Sequence, residues 1–172
     1  QNRKDKLVVA MQSALGAVVE SSAISWRDFG VFGSMLHGFH HPEYSDMDLT
    51  IYGWKNTTIL RESLSLLYSS RSSEFGNEFA RDESVCEKSW RFRNLSLDEF
   101  VKHQRRKLIY GLFKDNHSGR TIKIEFEPVR SYDEVENDYN PDERISQLGW
   151  VKMIARVIED SDGFFMPSTY GV

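Results

Sequence analysis

Two aspartates separated by one residue, Asp46-Met47-Asp48, open an alternating segment that runs to Tyr52. Residues i and i+2 of a strand point to the same face, which sets the Cα atoms of the pair ~6–7 Å apart. Two like charges held that close are unfavourable unless a cation sits between them. Oxygen donors of this kind suit Mg²⁺, which keeps its waters and takes one or two carboxylates plus substrate phosphates. Upstream, the aromatic stretch Trp26 to Phe32 stops at Gly33-Ser34. A tight turn there can bring backbone amides and the Ser34 hydroxyl against phosphate oxygens. An Asp-x-Asp pair alone also fits a plain exposed strand or turn. The combination of strand, Gly-Ser, loop and Ser45-Asp46-Met47-Asp48 is the more specific signal.

The elements that must position these residues follow from periodicity. Leu7, Met11, Ala14, Leu15, Val18 and Val19 recur on one face of a helix expected over 5–20. Strands are expected over 26–32 and 47–52, with a loop over 35–45 that carries His37, His40 and His41. Asn56-Thr57 is expected to cap a helix to Tyr68, followed by a turn over 69–73. The segment 75–90 carries only a weak helical pattern. Ser96-x-x-Glu99 is a capping box for a short helix to Gln104. Strands over 107–113 and 120–129 flank a turn at Asn116-His117-Ser118-Gly119. The second alternates strictly, with Ile122, Ile124 and Phe126 on one face and Lys123, Glu125 and Glu127 on the other. An acidic excursion over 131–144 follows. Segments 149–158 and 164–170 around Asp160-Ser161-Asp162-Gly163 give a hairpin signal.

The fold class is therefore α+β (α/β), a mixed sheet flanked by helices, with a domain over 1–130 and a β-rich extension over 131–172. The chain has 172 residues, 40% of them apolar, enough for one core and against disorder as a class. No apolar run approaches the ~18 residues that cross a bilayer, so no membrane partner is expected. No signal peptide is visible, and a single cysteine, Cys86, excludes an internal disulfide and fits a reducing, cytoplasmic setting. The chain starts at Gln1 and stops at Val172 without a tail, which leaves a longer native protein open. A net charge of −4 argues against a duplex-DNA clamp, which needs many phosphate-neutralising cations.

The Gly33-Ser34 and Asp46-Met47-Asp48-Leu49 motifs resemble those of the DNA polymerase β-like nucleotidyltransferase superfamily. The superfamily motifs span roughly residues 29–128. Within it, Arg105 to Gly111 and Phe164 to Tyr170 look like segments of predicted archaeal nucleotidyltransferases of unassigned substrate. The resemblance implies a third carboxylate on a neighbouring strand, three residues before a proline. Glu125 in Glu125-Phe126-Glu127-Pro128 stands there, with Glu where the family usually has Asp; Glu127 is the alternative. It implies two Mg²⁺ ions held by Asp46, Asp48 and Glu125, acting as catalytic and metal-binding residues, with Gly33 and Ser34 on the triphosphate. The implied reaction is transfer of a nucleoside monophosphate from an NTP such as ATP to an acceptor hydroxyl on an RNA or a protein. The alternative is a non-catalytic nucleotide- or RNA-binding module on the same fold.

Other residues have two readings each. Lys102, His103, Arg105, Arg106 and Lys107 form either a solvated helix end that complements the dipole or a phosphate clamp, with Arg105 and Arg106 as nucleotide-binding residues. Arg91 and Arg93 could join that clamp. The three loop histidines could hold zinc, line the nucleotide site or be solvated. Trp26, Trp54, Trp90 and Trp150 could stack on bases or fill the core.

Overall fold

The computed structural model describes residues 5–80, 95–135, 141–144 and 146–172. Cys86, Trp90, Arg91 and Arg93 lie outside them. Asp5 caps the first helix, α1 (Lys6–Glu20), by accepting from the amides of Leu7 at 2.9 Å and Val8 at 3.3 Å. Ser25 and Asp28 form a capping box that bends Trp26–Asp28 into a 3₁₀ turn, so the strand expected over 26–32 is reduced to β1 (Phe29–Val31). Gly33–Leu36 then forms a single helical turn, α2, where a loop is expected. β2 (Met47–Tyr52) has its expected bounds.

The next helix, α3 (Trp54–Ser69), starts earlier than Asn56-Thr57 suggests. Its first amide, that of Trp54, donates to Glu134 Oε1 at 2.9 Å, a carboxylate from far along the chain. Thr57 Oγ1 instead donates to the Gly53 carbonyl at 2.9 Å. β3 (Phe75–Asn77) follows. α4 (Leu97–Lys107) carries the expected Ser96–Glu99 capping box and runs one turn past Gln104. β4 (Tyr110–Lys114) and β5 (Thr121–Val129) form the expected antiparallel pair.

The five strands form one mixed sheet in the order β1-β2-β5-β4-β3, with β2 and β5 parallel and the other pairs antiparallel. The chain is thus α+β, as its periodicity implies. Met47, Leu49 and Ile51 of β2 and Ile124 and Phe126 of β5 are fully buried on one face, beneath α1 (Leu7, Ala14, Val18) and α3 (Leu60, Leu64). Burial of such side chains contributes ~1.5–3 kcal/mol each. A smaller cluster of Phe79, Phe100 and Val101 packs α4 against Tyr110, whose register partner Glu125 belongs to the polar face. Among the described residues, α1 and α3 thus cover the apolar face, and α4 covers the polar face at its β4 end.

The β-rich extension is not what the described C-terminal residues form. Residues 149–158 form neither helix nor strand, and Ser161–Phe164 is a 3₁₀ turn. Just outside the two expected strands, Glu159 and Gly171 form one antiparallel bridge, and the Ile158 amide donates to the Gly171 carbonyl at 2.9 Å. The apolar side chains of the first segment, such as Ile154 and Trp150, are almost wholly exposed, so nothing on the sheet rewards pairing there.

Candidate functional site

The polar faces of β2 and β5 coincide because the two strands run parallel in register, with Asp48 beside Glu125 and Thr50 beside Glu127. Asp46 is exposed just before β2, whereas Asp48, Glu125 and Glu127 are half-buried on the sheet. The Phe32 amide donates to the Asp48 carbonyl at 3.1 Å, which draws the Gly33-Ser34 turn over the same carboxylate. Gly33 has φ +63°, and a Cβ at this position would meet the Asp48 carboxylate, 3.2 Å from its Cγ. Glycine is required there on both counts, backbone conformation and space. The Ser34 hydroxyl has no hydrogen-bond partner among the described residues.

The electrostatics of this face are those of crowded anions around one cation. Although Asp46 is the more exposed residue, partial desolvation of its carboxyl pushes it up; Lys123 and Arg120 oppose this, while Glu125 and Glu78 add to it. Burial also pushes Asp48 up, joined by Glu125 and then Asp46. Glu127 is pushed up by burial and by Glu125, against Lys107. The Lys123 ammonium is ion-paired with Glu125 and lies 3.7 Å from the buried Glu78. Burial disfavours that ammonium, but its hydrogen bond to Glu125 and the charges of Glu125, Glu78 and Asp46 raise it overall.

Oxygen-only donors with mutual repulsion fit a hard divalent cation in chemistry. Yet no group of three His, Cys, Asp or Glu side chains is gathered closely enough to hold a metal ion among the described residues. On the β5 side the Lys123 ammonium is already paired with Glu125. Lys123 is legible in the sequence as the first polar position of the Lys123, Glu125, Glu127 alternation, although its partner Glu78 is not.

The loop before β2 is anchored by Arg120, whose Nη2 donates to the Ser45 carbonyl at 2.7 Å and whose Nη1 donates to the Pro42 carbonyl at 3.3 Å. No sequence signal marks this strut, since its partners are main-chain carbonyls. The three histidines of the loop separate. His40 Nε2 lies 2.9 Å from Asp5 Oδ2, His37 stacks on Phe39, and the His41 ring accepts from the Glu43 amide at 3.2 Å. The zinc reading of that loop has no support in this arrangement.

The basic run divides as well. Arg105 Nε donates to the Phe79 carbonyl at 2.8 Å and Nη2 to that of Ala80 at 3.2 Å, which ties α4 to the segment after β3. Arg106 and Lys107 instead line a cavity with His103, Trp54 and Arg61. Of the four tryptophans, Trp150 is almost fully exposed and Trp26 and Trp54 are about half exposed, so none of these is core.

Among the described residues, no helix is long and apolar enough to cross a membrane. No family model matches the chain. No solved structure matches it either. The chain is 26% identical over 159 residues to an uncharacterized protein of Methanocaldococcus jannaschii, an alignment that covers 92% of this chain and 44% of the relative. The chain thus spans less than half the length of that archaeal protein.

Proposed function

We propose that the polar face of β2 and β5 is the site of a Mg²⁺-dependent nucleotidyltransferase, which moves a nucleoside monophosphate from an NTP to an acceptor hydroxyl. The observation that carries this reading is the convergence of three sequence-distant signals at one place: Gly33 packed on Asp48, and Asp48 in register with Glu125. Asp46 and Asp48 would hold the metal, with Glu125 completing the set or accepting the acceptor proton. A bound Mg²⁺ would supply charge neutralisation for the triphosphate and the leaving pyrophosphate. The Gly33-Ser34 turn would hold phosphate oxygens, with the unpartnered Ser34 hydroxyl as one donor. Lys123 would neutralise the carboxylates in the resting protein and keep Glu125 oriented until a cation arrives. On this reading the protein works in the cytoplasm, where NTPs and Mg²⁺ are both present.

The test is release of pyrophosphate from each of the four NTPs, with and without Mg²⁺, in the presence of RNA and protein acceptors. Metal-dependent release that Asp46→Asn and Asp48→Asn abolish supports the enzyme. Unchanged Mg²⁺–NTP affinity in both variants would refute the metal site. A second reading, a non-catalytic nucleotide- or RNA-binding module, is favoured by the Lys123–Glu125 ion pair, which occupies the third carboxylate. NTP binding without any pyrophosphate release would select it.

A further inference from the structure

The C-terminal segment folds back at Ser161–Phe164 and closes a cavity of about 550 Å³ against α3 and α4. It lies at the far end of β2 from Asp46: α3 begins two residues after Tyr52, and six strand residues span ~20 Å. The last two turns of α4 supply one wall, with His103, Arg106 and Lys107. Trp54 and Tyr170 line the cavity as well.

The cavity is braced by contacts that need no ligand. Arg61 Nε donates to the Lys107 carbonyl at 2.9 Å and Nη2 to the Arg106 carbonyl at 3.3 Å, while its guanidinium lies 4.1 Å from the Phe164 ring centroid. Arg61 thereby joins the basic wall to the C-terminal turn. Arg130 pairs with Asp162 at 2.8 Å and lies 4.7 Å from the Phe165 ring centroid, which pins the same turn to the end of β5. The side chains of His103 and Arg106 make no hydrogen bond or ion pair among the described residues. Burial and the neighbouring Lys107 and Arg106 push the His103 imidazole down, so an anion would relieve the wall.

We infer that this cavity binds a nucleoside phosphate unit carrying a single phosphate, independently of Asp46, Asp48 and Glu125. Arg106 and Lys107 meet the phosphate, and the base lies against Trp54 and Tyr170. Arginine suits the charge and geometry of a phosphate, and aromatic rings accept any base by stacking. Glu159 and Asp160 also line the cavity and would repel a longer polyphosphate. The unit could be a free mononucleotide or one residue of an RNA strand, which share this chemistry.

Isothermal titration in EDTA tests this without any contribution from a metal site. The probes are AMP, adenosine, inorganic phosphate and a short oligoadenylate. AMP or the oligoadenylate should bind, and adenosine and phosphate should each bind at least ~10-fold more weakly because each keeps one of the two contacts. Arg106→Glu should lower affinity at least ~10-fold by reversing a charge at the phosphate. Only the Arg106 carbonyl serves Arg61, so this variant should keep the parent's melting curve, and Lys107→Gln provides a milder check. Asp48→Asn should leave the affinity unchanged. Tighter binding of the oligoadenylate than of AMP identifies a strand as the source, and equal binding identifies the free nucleotide. Absence of binding by both probes, or parental affinity in Arg106→Glu, overturns the proposal, whatever the carboxylate site does with NTPs.

Discussion

The two faces of β2 and β5 are made by the same residues in alternation, yet they are organised by opposite rules. On the apolar face Met47, Leu49, Ile51, Ile124 and Phe126 have no exposed surface. On the polar face Asp48, Lys123, Glu125 and Glu127 are half-buried and hold one another's charges in a balance that a small cation could tip. The apolar face stabilises the fold by excluding water. The polar face carries repulsion that the fold tolerates, and natural proteins retain such repulsion mainly where it serves a function. Perturbing one face at a time should separate the two roles.

The largest effect belongs to the apolar face. Phe126 is fully buried and its ring centroid lies 6.1 Å from that of Phe29. Phe126→Ala should cost ~3–5 kcal/mol, from lost transfer energy plus a cavity. Urea denaturation with tryptophan fluorescence measures it. A loss below ~1 kcal/mol would mean that the β2–β5 core is not packed as described.

The next effect sits where the two strands meet the Gly-Ser turn. Gly33→Ala places a side chain at φ +63° and against the Asp48 carboxylate. The backbone strain costs ~1–2 kcal/mol, and displacement of Asp48 about another 1 kcal/mol. In an Asp48→Ala background only the first part should remain. A double-mutant cycle in denaturant reads the difference directly, and strict additivity would mean that Gly33 is needed for its backbone alone.

Much of this site was legible in the sequence, for local reasons. The period-2 alternation of 47–52 and 121–129 fixes which residues share a face, and the Ser96–Glu99 box fixes the start of α4. What escaped depends on partners distant in the chain. The start of α3 is set by Glu134, eighty positions beyond Trp54, so Asn56-Thr57 looked like the better cap. In the described part of the segment 75–90, Phe75–Asn77 pairs as a short edge strand on β4, too short to show a period. The C-terminal hairpin signal at Asp160 to Gly163 is genuine turn chemistry, but the flanking residues find no sheet edge. Arg105 and Arg106 are adjacent and alike in sequence, and only the fold shows one tied to backbone carbonyls and the other lining a cavity.

A smaller effect concerns the cation already on the polar face. Lys123→Met removes the ammonium that pairs with Glu125 and approaches Glu78 and Asp46. Stability at neutral pH should fall by about 1 kcal/mol, because the buried Glu78 loses a partner. Mg²⁺ affinity should rise by ~10-fold if lysine and metal compete for the same carboxylates, a coupling of ~1.4 kcal/mol. Titration with Mg²⁺ alone, followed by calorimetry, gives the sign. Unchanged or weaker Mg²⁺ binding would separate Glu125 from the metal site and leave Asp46 and Asp48 to act without it.

The smallest effect is the most diagnostic of repulsion on the polar face. Burial and neighbouring carboxylates raise Asp46 and Asp48 above their ordinary value of 3.8 in the folded chain. A carboxyl raised on folding holds its proton more tightly in the native state. It therefore adds stability at pH below 3.8, and that contribution disappears as the pH rises through the raised folded value. Asp115 behaves in the opposite sense: hydrogen bonds from Ser118 and from the His117 amide outweigh burial and lower it. Its contribution is present above 3.8 and fades on acidification through its lowered value. Asp48→Asn should thus be indistinguishable from the parent in strong acid and more stable than it by a few tenths of a kcal/mol at neutral pH, after allowance for solvent screening at a half-buried site. Asp115→Asn should show the reverse, parity in strong acid and a deficit at neutral pH. Denaturant midpoints measured across this pH range in EDTA read both slopes. Two variants sloping the same way would mean that acid stability is set by net charge, and that the paired aspartates of β2 carry no special repulsion for a metal to relieve.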